Sequence, residues 1–136
     1  MTLTPDLAAL GDEKFVSLTT FRKSGVGVPT TVWVGRDGDS LVVTTPSGSG
    51  KVKRVRNDER IELQPSSRRG TVDASVPPVT GVAEVVEGSG AMPRLGEVMS
   101  AKYGFEYRLV MGVERLIRRG APQRVMLRIT PAADAA

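Results

Sequence analysis

The run Thr44-Thr45-Pro46-Ser47-Gly48-Ser49-Gly50-Lys51-Val52-Lys53-Arg54-Val55-Arg56-Asn57 joins a β-like stretch, a glycine-serine loop and a basic helical segment. Gly48 and Gly50 allow close approach of the backbone to an anion, and Ser47 and Ser49 offer hydroxyls. The free N–H groups of the helix start point to the same place, and Lys51 and Lys53 add full positive charge. These are the components of a phosphate site. They do not make an ATPase loop: the earlier glycine of that motif is Thr45 here, and Val52 replaces its magnesium-binding hydroxyl. Taken alone, the pattern also fits a plain connector followed by a solvated helix face.

Other residues carry the same double reading. Arg68 and Arg69 stand in a polar loop, Trp33 can fill a core or cover an interface, and Thr30, Thr31, Thr44 and Thr45 are ordinary strand residues. The chain has no Cys and no His, which disfavours zinc sites and Ser-His or Cys-His catalysis, so no metal site is assigned. No pair of carboxylates has a spacing that suits acid-base work, and no catalytic residue is assigned. Lys and Arg outnumber Asp and Glu by 19 to 15, a net charge of +4 that favours an anionic partner. A nucleic-acid surface is disfavoured, because three Phe, two Tyr and one Trp are few for stacking bases and the basic residues are scattered over several elements.

The elements that must position these residues follow from periodicity. A short helix is expected over Asp6 to Leu10. Phe15 to Phe21 and Val28 to Val34 read as a hairpin around Lys23-Ser24-Gly25. Arg36-Asp37-Gly38-Asp39 reads as the next turn, and Ser40 to Thr45 as a third strand in meander order. Val52 and Val55 mark a two-turn basic helix. Ile61 to Pro65 and Val79 to Val86 add two strands. Leu95, Val98 and Met99 give a helix that breaks at Gly104; a second, with Leu109, Val113, Leu116 and Ile117, ends at Arg118-Arg119-Gly120. Val125 to Ile129 is the sixth strand, before an Ala-rich tail. Six strands without regular strand-helix alternation predict a mainly β, six-stranded antiparallel barrel or sandwich with flanking helices. At 136 residues, 40% apolar and 25% charged, one domain over residues 1–136 is expected. With no apolar run long enough for a membrane span and no basic-apolar leader, a soluble cytoplasmic protein is expected.

Four segments carry a family resemblance: Lys14-Phe15-Val16-Ser17-Leu18-Thr19-Thr20-Phe21-Arg22, Pro29-Thr30-Thr31-Val32-Trp33, Gly50-Lys51-Val52-Lys53-Arg54-Val55-Arg56-Asn57 and Lys102-Tyr103-Gly104. Together they resemble the small actinobacterial deazaflavin-dependent oxidoreductases, B type, of the pyridoxamine-5'-phosphate-oxidase-like split β-barrel superfamily, over about Leu7 to Ile129. The resemblance implies a homodimer with the cofactor, coenzyme F420, in a groove between barrels; FMN is the alternative in the same superfamily. It implies that Ser49, Gly50, Lys51 and Lys53 hold the phosphate and that Thr31, Val32 and Trp33 lie along the deazaflavin ring. Thr44 and Thr45 would stand nearby, with Arg68 or Arg69, the latter preferred, reaching in from the partner subunit. The implied reaction is hydride transfer between the cofactor and a conjugated small-molecule substrate, for which the chain need supply no nucleophile. A non-catalytic flavin- or deazaflavin-binding protein is the further alternative.

Overall fold

The computed structural model describes residues 3–73, 75–87, 91–104, 106–111 and 124–132, without the side chains of 91–93. Helix α1 (Pro5–Leu10) starts where Thr4 Oγ1 accepts the Leu7 N–H at 3.4 Å. Pro5 occupies the first turn, where its missing N–H costs nothing. Strands β1 (Phe15–Phe21) and β2 (Gly27–Trp33) form the expected hairpin, in register from Phe15↔Trp33 to Phe21↔Gly27. Its turn depends on Gly25, whose φ of 91° suits glycine.

The next segment departs from the sequence reading. Only Gly38 and Asp39 make the turn, while Gly35 to Asp37 form an additional strand, β3 (Gly35–Asp37), paired with β4 (Ser40–Pro46). The sheet therefore has seven strands, not six, in the order β2-β1-β5-β6-β7-β4-β3, with β5 (Arg60–Pro65), β6 (Val79–Val86) and β7 (Arg124–Pro131). The meander also fails: β4 pairs with β7, not with β2. Between β2 and β3 the chain bends at Val34, whose side chain is fully buried, and it crosses from one edge of the sheet to the other. The sheet, antiparallel throughout, curls until β2 comes near β4.

Strand alternation then supplies two cores. Leu41 and Val43 of β4, with Leu127 and Ile129 of β7, point inward to Val16, Leu18, Ile61 and Leu63. Leu7 and Leu10 of α1 and Val55 of α2 (Gly50–Asn57) join that interior. The intervening Val42 and Met126 face outward and are covered by Leu95 and Met99 of α3 (Ala91–Tyr103), with Tyr107. Leu95 and Met99 are fully buried, and each contributes about 1.5–3 kcal/mol to docking α3 on the sheet. Gly104, at φ 60°, ends α3 as expected, and residues 106–111 are helical again. The remainder of the second expected helix, including Val113 and Arg118, lies outside the described residues, as does most of the Ala-rich tail. Among the described residues, no helix is long and apolar enough to cross a membrane.

Candidate functional site

Burial of Val52 and Val55 fixes how α2 presents its cations. These two valines face the interior, so Lys51 and Arg54 stand at the flanks, half-buried, while Lys53 and Arg56 face solvent. Ser49 is the N-cap residue with extended backbone, but its hydroxyl pairs with Thr45 Oγ1 at 3.1 Å and caps no amide. The first-turn N–H groups are thus left for another acceptor. A Cβ at Gly50 would lie 2.6 Å from Arg54 Nη1, so glycine lets the guanidinium fold over the helix start. Arg54 Nε donates to Thr20 Oγ1 at 2.6 Å.

Lys51 is the electrostatic anomaly. Burial, then the nearby positive charges of Arg54 and Arg124, hold its ammonium below the ordinary lysine pKa. Among the described residues no carboxylate pairs with it. A desolvated cation beside two guanidiniums and a set of open helix amides favours an incoming anion.

Lys51 lines a cavity of about 330 Å³ together with Phe15, Thr31, Val32, Trp33, Thr44, Thr45, Pro46, Arg68, Val110, Met111 and Arg124. The ends of β2 and β4, brought near each other by the curl of the sheet, supply half of the lining residues. Arg124 Nε donates to Thr44 Oγ1 at 2.9 Å, which fixes the arginine against β4. Arg68 is held by Glu106 at 3.1 Å and stands over the Phe15 ring. Trp33 is stacked on Tyr103, with centroids 5.0 Å apart and planes 20° from parallel, and tilted against Tyr107. The cavity thus combines apolar and aromatic surface with cations on separate elements, an arrangement suited to a planar group carrying an anionic arm.

The structure brings six expected residues to one cavity: Thr31, Val32, Trp33, Thr44, Thr45 and Lys51. Ser49 is tied to Thr45, and Gly50 precedes Lys51 at the same helix start. Lys53 and Arg69 are exposed and do not line the cavity; Arg68 does. Arg124 and the apolar residues Phe15, Pro46, Val110 and Met111 went unassigned in the sequence. Arg124 shares a face of β7 with Met126, which alternation reveals, but its neighbour Pro46 on β4 follows only from the strand register.

Two of the larger grooves lack this chemistry. One of about 680 Å³ between α1 and residues 76–80 has no cation in its wall. In the other, about 690 Å³ beside α3, Arg94 is already paired with Asp37 at 2.7 Å and Glu97 at 2.9 Å. Among the described residues no cluster of three potential metal-ligating side chains is present.

No protein-family model matches the sequence, and no curated protein matches it. Solved structures do match its fold. An F420 reductase aligns at 18% identity and TM-score 0.59, over 92% of this chain and 92% of that one. A pyridoxamine 5'-phosphate oxidase-related, FMN-binding protein from Nostoc punctiforme aligns at 15% identity and TM-score 0.57, over 96% and 83%. HutZ, the heme storage protein from Vibrio cholerae, aligns at 14% identity and TM-score 0.66, over 97% and 92%. At these identities the likeness shows the fold alone: the curled antiparallel sheet with its flanking helices is shared with these proteins.

Proposed function

We propose that this chain is an oxidoreductase that takes the deazaflavin coenzyme F420 into the Lys51 cavity and transfers hydride between it and a conjugated small-molecule substrate. The observation that carries this reading is Lys51, a desolvated cation that lines the cavity beside Arg54, Arg124 and the open amides of α2, with no acidic partner among the described residues. Such a site is stabilised by a phosphate, which accepts from the amides and offsets the crowded positive charge. Thr31, Val32 and Trp33 offer the adjoining surface for a ring.

A volume of about 330 Å³ is at the small end of the range for ligand pockets, so one copy encloses only part of a tricyclic cofactor with its phosphate arm. A second copy completing the groove, in a homodimer, belongs to the same reading. When bound, the cofactor supplies the hydride. The chain's own contribution is position. Lys51 and the α2 amides anchor the anionic arm, Trp33 is held from behind by Tyr103, and Val110 and Met111 add apolar wall. No described side chain is assigned to carry the accompanying proton.

FMN is the second reading, supported by the FMN-binding protein of the same fold, because FMN makes the same demands for a cation and a flat wall. A heme site is not favoured: the chain has neither His nor Cys to supply the common axial ligands. Oxidation of reduced deazaflavin in the presence of a panel of quinones, tetrapyrroles and enones tests turnover. Acceleration over the protein-free rate by at least one acceptor is expected. Binding without acceleration by any of them would leave a non-catalytic cofactor-binding protein.

A further inference from the structure

Val34 stands between β2 and β3, so neither strand ladder takes its backbone groups, yet the residue is fully buried. Helix α3 supplies the missing partners. The Tyr103 hydroxyl accepts the Val34 N–H at 3.0 Å, and the Lys102 ammonium donates to the Val34 carbonyl at 2.6 Å. Lys102 also donates to the carbonyls of Gly11, at 2.7 Å, and Glu13, so each of its three N–H groups has a backbone acceptor. The Tyr103 proton is directed to the carbonyl of Lys14 at 2.7 Å or of Val34 at 2.9 Å.

A surface lysine ordinarily keeps its ammonium in water. Here burial outweighs the nearby Asp12 and Glu13 and holds Lys102 below its ordinary pKa. The residues on either side of Val34 meet the same helix. Trp33 stacks on Tyr103, and a Cβ at Gly35 would come within 2.5 Å of Val98 Cγ1. The last turns of α3 therefore grip Trp33, Val34 and Gly35 where the chain leaves the β1–β2 hairpin, and Trp33 lines the cavity.

We propose that Lys102 and Tyr103 are positioning residues for the ring-facing wall of the cavity, acting through the Val34 backbone to fix Trp33. Neither lines the cavity itself. The ligand part of the test rests on the proposed cofactor; the spectroscopic part rests on Trp33 alone, the only tryptophan in the chain.

Two variants separate positioning from general support. Tyr103→Phe keeps the stacked ring and deletes the hydroxyl; Lys102→Arg keeps the charge but spreads donors that must converge on three carbonyls. In ligand-free protein, a shifted Trp33 emission maximum and easier acrylamide quenching are expected for both. Affinity for F420 should fall about fivefold for Tyr103→Phe, the loss associated with one hydrogen bond, and at least as much for Lys102→Arg. Competition by inorganic phosphate should stay within about twofold of wild type, because Lys51 is left intact. Wild-type Trp33 emission and F420 affinity in both variants, even with lowered thermal stability, would overturn the proposal. Equal loss of F420 and phosphate affinity would do the same. If Tyr103→Phe does not fold, Lys102→Arg decides by these readouts. Should wild-type protein bind neither F420 nor FMN, the cofactor reading falls while the Trp33 measurements still decide the clamp.

Discussion

Replacing Lys51 by alanine removes the desolvated ammonium that burial, Arg54 and Arg124 hold below its ordinary pKa. Among the described residues that ammonium has no carboxylate to lose, so Lys51→Ala should leave unfolding stability equal to wild type or slightly above it. In the complex the same ammonium faces an anion. A hydrogen bond to a charged group contributes about 1.5–3 kcal/mol, so F420 affinity should fall by roughly one to two powers of ten. Arg56→Ala is the control for bulk charge, since Arg56 lies on the exposed face of the same helix, paired with Glu87 at 3.4 Å. Its loss should change affinity only through screened attraction, and less still at high salt. The pH dependence has a definite sign. With the folded pKa of Lys51 lowered, the free folded chain loses the Lys51 proton before the unfolded chain does, so this residue's penalty on stability is relieved as pH rises toward 10.5. Anion binding favours the protonated form, so affinity should decline over that same alkaline window. Calorimetric titration with chemical denaturation of both variants measures these effects. Equal affinity losses for Lys51→Ala and Arg56→Ala, or a folded Lys51→Ala that binds like wild type, would refute the reasoning.

Asp37 lies beside Arg94 and Arg128, and the Arg94 hydrogen bond, followed by Arg128, holds its carboxyl below 3.8 against the opposing effect of burial. That contribution is present above 3.8 and lost as pH falls through the lowered value, so Asp37→Asn should cost about 1 kcal/mol near neutral pH. The gap from wild type should close in acid melts. Gly35→Ala places a Cβ 2.5 Å from Val98 Cγ1 and should destabilise by about 1–3 kcal/mol in denaturant unfolding, with Val98→Ala in the same chain restoring most of it. Sedimentation of the purified protein should give a dimer at micromolar concentration; a monomer that binds cofactor at full affinity would contradict completion of the groove by a second copy.

What the sequence made legible was local. β-Branched and aromatic residues marked Phe15 to Phe21 as a strand, alternation marked Ile61 to Pro65, Val79 to Val86 was read as a strand after the polar loop, and the Gly50 to Asn57 helix followed from two valines among charged residues. The phosphate-like chemistry of Ser49 to Lys51 was legible because loop, helix start and cation are adjacent in the chain. The third strand was misplaced in the sheet because its partner, β7, is remote in sequence, and no local pattern encodes the crossing at Val34. β3 was absorbed into the turn because three residues are too few to display a period. Lys53 looked equivalent to Lys51 in the sequence, yet a rotation of two positions around α2 takes it to solvent. Arg124 reaches the site through β4–β7 register, and Tyr103 reaches Val34 across 69 residues, so both depend on tertiary structure.

The most direct test of the cofactor assignment is a titration of Trp33 emission with F420 and, separately, with FMN. Trp33 is the only tryptophan and lines the cavity, so a ring bound there must alter its signal. Saturable quenching by both, with F420 binding more tightly, is the expected result. Tighter binding of FMN would contradict the deazaflavin assignment, and no change with either ligand would contradict a flavin-type site at Trp33 altogether.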